Sequence, residues 1–267
     1  MQASFRCSAK INWDLYITGL LENGFHALDS IVAPIDLFDD IDICISNGSG
    51  IEVLCDISPG QNNLAWKAAD RFLNHVGRNH KIVIKITKGI PSGAGLGGGS
   101  SDAACVIKSL NEMLNCKLDR EKLKNIAETI GSDVPCFIHD GWRRMTGRGE
   151  IVEDFTAPNK HIALAIPDKP VSTALSYKKF DENPEFLKPR KDRLENPFNA
   201  LEEASISIVP EIKEVLELLS STGAKPCRMT GSGSACFGVY ETKKQADTAC
   251  LQMQSSKLKV FSLSAGF

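Results

Sequence analysis

The chain has 267 residues, of which 42% are hydrophobic and 24% charged, and its formal net charge is −2. That is the make-up of a soluble globular protein of one large domain or two modest ones. It excludes a global basic field for nucleic acid, and no run reaches the ~18 consecutive apolar residues that a membrane span needs.

Residues 1–10 lack the apolar core of a signal peptide. Residues 11–18 alternate apolar and polar for most of their length, which predicts a half-buried strand, with a turn over 19–24. Two strands are expected at 41–45 and 51–55, split by the turn Ser46-Asn47-Gly48-Ser49-Gly50. Asn63 opens a helix with Leu64, Ala65, Ala68, Ala69, Phe72, Leu73 and Val76 on one face. Ile82, Ile84 and Ile86 alternate with Val83 and Lys85 in a strand over 81–87, and an Ala-rich helix is expected near 100–115. Asp119 is a candidate N-cap for a helix that Gly131 would end. Strands are expected near 142–153 and 161–166, an exposed polar connection at 178–195, and a helix through Ile212, Val215 and Leu219. A strand at 235–240, a helix at 242–254 and a strand at 259–263 close the chain. This mixture predicts an α+β fold rather than regular βαβ alternation. The composition shift near 154–160 places a domain boundary there, giving domains 1–155 and 156–267.

The nine cysteines are odd in number and scattered, with no C-x-x-C pair. Neither a disulfide framework nor a zinc site fits that pattern, so a reducing cytoplasm is the expected compartment. His75, His80, His139 and His161 form no ligand spacing.

The densest local signal is Pro91-Ser92-Gly93-Ala94-Gly95-Leu96-Gly97-Gly98-Gly99-Ser100-Ser101, between a strand and an Ala-rich helix. Glycines permit positive φ and let backbone approach a ligand with no Cβ between. Successive N–H groups can then line an anion nest that continues into a helix N-terminus. The run lacks the G-K-[ST] ending of a Walker A loop, and no acidic residue follows at the spacing of a dinucleotide fold. A flexible loop is the plain alternative, which the Gly-Gly-Gly-Ser-Ser junction with a helix disfavours.

This run resembles the phosphate-binding motif of the GHMP kinases. Ser8-Ala9-Lys10-Ile11-Asn12 is similar to that family's first motif, and Arg228-Met229-Thr230-Gly231-Ser232-Gly233-Ser234-Ala235 to its third. Asn23-Gly24-Phe25-His26, Gly131-Ser132-Asp133-Val134-Pro135 and Gly147-Arg148-Gly149-Glu150 point, within the family, to kinases of a cytidine diphosphate alcohol. Ser8 stands for the usual proline and Phe25 for a usual tyrosine; Trp142-Arg143-Arg144 is bulkier than the pattern and has no physical account from sequence.

The resemblance implies a two-domain α+β fold with a βαβ-type ATP-binding domain, a ferredoxin-like second domain and a cleft between them. It implies ATP with Mg²⁺, transfer of the γ-phosphate to the 2-hydroxyl of the cytidine diphosphate alcohol, and no nucleic-acid or membrane partner, in a monomer or weak homodimer. Asp133 would be the base and Lys10 the cation that orients it and stabilises the transferring phosphoryl group. Read from the residues alone, Asp133 is a cap or a solvated loop carboxylate, and Lys10 a strand-edge lysine. The run Pro91 to Ser101 would hold the phosphates, Asn63 and Leu64 would wrap the adenine, and Ser101 would meet the metal, with Asp102 the lesser candidate. Asn12 would touch the alcohol substrate, His26 and Phe25 would hold the cytosine, and Tyr177, one turn after Thr173, would supply the opposite face. Asn63 as a helix start and Tyr177 as a helix surface residue remain of equal weight. The rival functions are another GHMP kinase, of homoserine or mevalonate type, and a non-catalytic nucleotide-binding relative.

Overall fold

The computed structural model describes residues 1–255 and 257–267. In chain order the elements are β1 (Gln2–Asn12), β2 (Tyr16–Leu20), β3 (His26–Ser46), β4 (Gly50–Leu54), α1 (Leu64–Val76), β5 (Lys81–Thr87), α2 (Gly98–Met113) and α3 (Arg120–Glu128). There follow β6 (Arg143–Gly147), β7 (Ile151–Asp154), β8 (Lys160–Pro167), α4 (Thr173–Phe180), α5 (Glu202–Ile208), α6 (Glu211–Ser221), β9 (Cys227–Met229), β10 (Cys236–Tyr240), α7 (Lys243–Gln252) and β11 (Leu258–Ala265). The fold is α+β, as the mixture of strands and helices implied.

The chain divides into two compact units. The first comprises Met1–Ala9, Leu37–Ile90 and Gly97–Asp140; the second comprises Lys10–Asp36, Pro91–Leu96 and Gly141–Phe267. Both are discontinuous because β1 and β3 each run out of one unit and into the other. The expected boundary at 155/156 falls inside the second unit.

In the first unit the end of β3 pairs antiparallel with β5, and β4 pairs parallel with β5. β5 buries Ile82, Ile84 and Ile86 and exposes Lys85, the period of two that its sequence predicted. α1 buries Ala65, Ala68, Ala69, Phe72 and Leu73, a 3.6-residue stripe. Asn63 caps it by accepting from the Ala65 N–H, and Gly77 ends it at φ 64°. Asp119 caps α3 by accepting from the Lys122 N–H, as its position implied.

In the second unit the strand order β11–β8–β10–β9 is antiparallel throughout. With α6 and α7 this is the β-α-β-β-α-β arrangement of ferredoxin-like domains. Ala163, Ala165, Ile212, Val215, Leu219, Ala246, Ala249 and Cys250 share its core. α7 starts with a capping box between Thr242 and Gln245. β3 pairs in turn with β2 and with β6.

Three local expectations differ. The strand expected over 11–18 is two strands, because Trp13 and Leu15 leave the pairing to donate to the carbonyls of Ile31 and Phe198. Residues 2–10 are strand as well. β3 runs for 21 residues, where only 41–45 carried a signal, since Ser30 to Ile35 are buried at every position and show no alternation.

Candidate active site

Along the glycine-rich run, Gly93, Gly95 and Gly97 take φ of 74°, 78° and 74°. Alternate residues in the left-handed region turn successive N–H groups to one side, the geometry of an anion nest. At Gly95 a Cβ would stand 3.0 Å from the Gly233 carbonyl oxygen and 3.2 Å from that of Thr230. The run and the second glycine turn, 230–234, therefore touch through backbone, and only glycine fits at Gly95. A cavity of about 160 Å³ lies beside Pro91 to Ala94, lined also by Asp168, Ser234 and Lys259. It is below the ~300 Å³ at which ligand pockets usually begin, and is large enough for a phosphoryl group rather than a nucleoside.

Lys10 is 6% exposed, which rules out the strand-edge reading. Its ammonium donates to Asn12 Oδ1 at 2.6 Å and to the Gly95 carbonyl at 2.8 Å. Asn12 is held in turn: its backbone N–H donates to Thr230 Oγ1 at 2.7 Å, and its Nδ2 to Ser30 Oγ at 2.8 Å. The Ser30 hydroxyl donates in turn to the Asp14 backbone carbonyl. This chain fixes which end of the Asn12 amide faces the lysine. The three sequence motifs that carried the resemblance thus meet within the second unit at Lys10, Gly95 and Thr230.

Sequence reasoning missed the groups that shape the second glycine turn. Buried Asn199 donates to the Met229 and Gly231 carbonyls at 2.7 and 2.8 Å. Ser205 Oγ donates to the Ser232 carbonyl at 3.0 Å, and Thr173 Oγ1 shares a 2.8 Å hydrogen bond with Ser232 Oγ. No periodic or motif signal marks Asn199 or Ser205. Thr173, grouped with Tyr177 from sequence, sits against the glycine turn.

Within the first unit, α2 begins after Gly97, and the Ser101 hydroxyl donates to the Ser8 carbonyl at 2.7 Å. Its proton is committed, and its oxygen lone pairs are what it can offer a cation. Leu64 Cδ1 lies 3.7 Å from where a Gly99 Cβ would stand, so Leu64 flanks the run. Asn63 spends its side chain on the α1 cap and on the Ser58 carbonyl. Asp133 is on an exposed turn, not partly buried, closed by the Val134 N–H to Gly131 carbonyl bond. The carboxylate faces water because Val134, Pro135, Cys136, Phe137 and Ile138 behind it fill the core.

A charge cluster lies under the start of α2. Lys88 Nζ bridges Asp39 and Asp102, the latter at 2.8 Å, and Asp39 also accepts from the Gly89 and Ile90 N–H groups. Asp102 Oδ1 is buried with no hydrogen-bond partner among the described residues. Burial, with the Asp39 carboxylate nearby, outweighs Lys88 and raises the Asp102 carboxyl from 3.8 to about 7. The folded state then holds a proton that the unfolded chain releases near 3.8. That contribution to stability is full below the unfolded value and lost as pH rises through about 7. Native protein should therefore lose stability relative to Asp102→Asn between pH 4 and 7.5, read as a widening gap in urea midpoints. A gap independent of pH would contradict the titration.

The expected cytosine residues separate into two groups. His26 Nε2 lies 2.7 Å from Asp181 Oδ1, its ring 4.8 Å from that of Tyr177 and 5.9 Å from that of Phe180. Phe25 is 56% exposed on the preceding turn, with the Arg148 guanidinium 5.4 Å from its ring centroid. Asp181 and Phe180 carried no sequence signal.

Positive-φ glycines, a buried lysine and a second glycine turn thus stand together in the second unit. Residues 63–141 match the GHMP kinases N terminal domain and residues 184–259 the GHMP kinases C terminal domain, and the chain belongs to the GHMP kinase family. Among its relatives, the 4-diphosphocytidyl-2-C-methyl-D-erythritol kinase of Desulfitobacterium hafniense (strain Y51) is 37% identical, over 90% of this chain and 87% of the relative. The enzyme of that name from Methylacidiphilum infernorum (isolate V4) is 41% identical over 87% of this chain and 84% of the relative. A crystal structure of 4-(cytidine 5'-diphospho)-2C-methyl-D-erythritol kinase superposes with a TM-score of 0.89, at 30% identity, covering 99% of this chain and 100% of that one. The mevalonate kinase of Methanococcus jannaschii shares the fold, with a TM-score of 0.76 at 11% identity, over 100% of this chain and 99% of that one.

Proposed function

We propose that this chain transfers the γ-phosphate of ATP to the 2-hydroxyl of 4-diphosphocytidyl-2-C-methyl-D-erythritol, giving the 2-phosphate and ADP, a step of non-mevalonate isoprenoid synthesis. The observation that carries the reading is the buried Lys10, held between Asn12 and the Gly95 carbonyl against the second glycine turn. A lysine desolvated there has its position set for a phosphoryl group rather than for solvent. The relatives named above, alike over most of both chains, support the particular substrate.

The run Pro91 to Ser101 receives the phosphates on backbone N–H groups, with Leu64 beside it for the adenine. Asn63 acts through the cap that starts α1, next to Leu64 in sequence. Asp133 takes the proton of the acceptor hydroxyl as the hydroxyl oxygen bonds to phosphorus and the bond to ADP breaks. Asn12 orients the substrate and Lys10 together. His26, with Phe25 and Tyr177, takes the cytosine, and Thr173 steadies the turn that closes on the phosphates. The hard oxygen donors fit magnesium, which keeps several waters and needs only one or two protein ligands beside phosphate; Ser101 would hold it. Bound, the ion would supply charge neutralisation on the phosphates. The protein works in the cytoplasm as a monomer or weak homodimer.

A coupled ADP-release assay with ATP and Mg²⁺ tests this. It should turn over 4-diphosphocytidyl-2-C-methyl-D-erythritol, and not homoserine, mevalonate or phosphomevalonate. Turnover confined to one of the others would overturn the substrate; ATP binding with no turnover on any alcohol would overturn the activity.

A further inference from the structure

His26 opens β3, and its Nε2 meets Asp181, the residue at the C-terminal end of α4, at 2.7 Å. An ionised carboxylate can only accept, so Nε2 carries the proton. In the neutral ring Nδ1 is then a lone-pair acceptor. Nδ1 carries no hydrogen bond among the described residues. The ring cannot turn over freely, because Tyr177 lies across it at 34° and Phe180 stands against it at 78°. The His26 side chain is 14% exposed, so the ring is not wholly enclosed by its neighbours.

We infer that Asp181 is a positioning residue for base specificity: it fixes the His26 tautomer so that Nδ1 accepts from the exocyclic amine of a cytosine and rejects a uracil. This rests on the cytosine reading of the pocket given above. Cytosine presents an N–H₂ donor where uracil presents a carbonyl acceptor. Against a fixed lone pair the amine makes a hydrogen bond, whereas the carbonyl faces a second acceptor and both lose their water. A site built in this way rejects the wrong partner through the unpaired polar group it leaves. Without the carboxylate, the imidazole can move its proton to Nδ1 and accommodate either base. A tether joining α4 to β3 would be the plain alternative, and with Asp181 50% exposed such a pair is worth little.

The test compares kcat and KM for the cytidylated substrate and its uridylated analogue in native protein, Asp181→Ala, Asp181→Asn and His26→Ala. In Asp181→Ala the preference for the cytidylated form in kcat/KM should fall about tenfold, the value of one hydrogen bond in place of one clash. The change should lie mainly in KM. Asp181→Asn keeps an acceptor oxygen for Nε2–H and should restore most of the preference, which a lost tether would not do. Imidazole ¹⁵N shifts of His26 should report an unprotonated Nδ1 in native protein and a tautomer mixture in Asp181→Ala. If His26→Ala leaves KM for the cytidylated substrate unchanged, the cytosine reading falls and this inference with it. If His26→Ala raises that KM while Asp181→Ala retains the native preference, the inference alone is overturned.

Discussion

Replacing Asp133 by Asn is expected to lower turnover at least ~100-fold, the lower range for losing a general base, while ATP binding stays within about twofold of native, since no nest N–H group is altered. The substitution keeps the side chain's size and removes its ability to take a proton. The fold should tolerate it: Asp133 is exposed, and its turn is held by the Gly131–Val134 hydrogen bond and by the buried residues 134–138. A loss of rate with an unchanged melting temperature would therefore report chemistry rather than structure. The measurements are single-turnover phosphoryl transfer and nucleotide affinity side by side. Turnover near the native value would remove Asp133 from the reaction and leave positioning and Lys10 to account for the rate.

The largest stability effect should come from Arg193→Met. Arg193 donates through Nε and Nη2 to both oxygens of Asp14, at 2.6 and 2.8 Å, and through Nη1 to Asp29 Oδ1 at 2.8 Å. The Asp14 side chain is wholly buried, and Arg144 holds the other side of Asp29. Removing the guanidinium leaves Asp14, among the described residues, with the Ile31 N–H as its remaining donor, and stranding one partner of a buried pair costs about 3–5 kcal/mol. Urea unfolding at pH 7 should show that loss. Arg193→Lys should recover only part, because an ammonium cannot make the two-pronged contact. In the Arg193→Met background, Asp14→Ala should then cost little or be favourable. Full native stability in Arg193→Met would refute the account. Desolvation alone would raise the Asp29 carboxyl, but Arg144 and Arg193 outweigh it and hold it below its ordinary 3.8. Its contribution is therefore present above that value and lost as pH falls through its lower folded value.

This cluster also explains residues that had no account as sequence. Arg144 is one jaw of the clamp on Asp29. Trp142 is buried edge-on to Trp13, their centroids 5.3 Å apart. The polar stretch 178–195, read as an exposed connection, is anchored at its end by Arg193 and by the Trp13 Nε1 to Leu194 carbonyl bond.

What the amino-acid sequence determined by itself is what depends on near neighbours. The alternation of β5, the apolar stripe of α1 behind the Asn63 cap, the Asp119 cap of α3 and the glycine-rich run Pro91 to Ser101 are written in spacings of two to four residues or in glycines that take positive φ. Lys10, His26 and Asp133 drew notice because each stands in a short motif that resembles the family's pattern, and their roles rest on that resemblance. Tertiary structure decided the partners that come from far along the chain. Asn12 meets Thr230 across 218 positions, Asp14 meets Arg193 across 179, and His26 meets Asp181 across 155. A single sequence holds no record of such pairings, because side-chain type tells what a group can bond to but not which distant group the backbone will bring to it. β3 escaped for a related reason: a strand covered on both faces has no polar side to alternate with, so its length is set by its neighbours in the sheet.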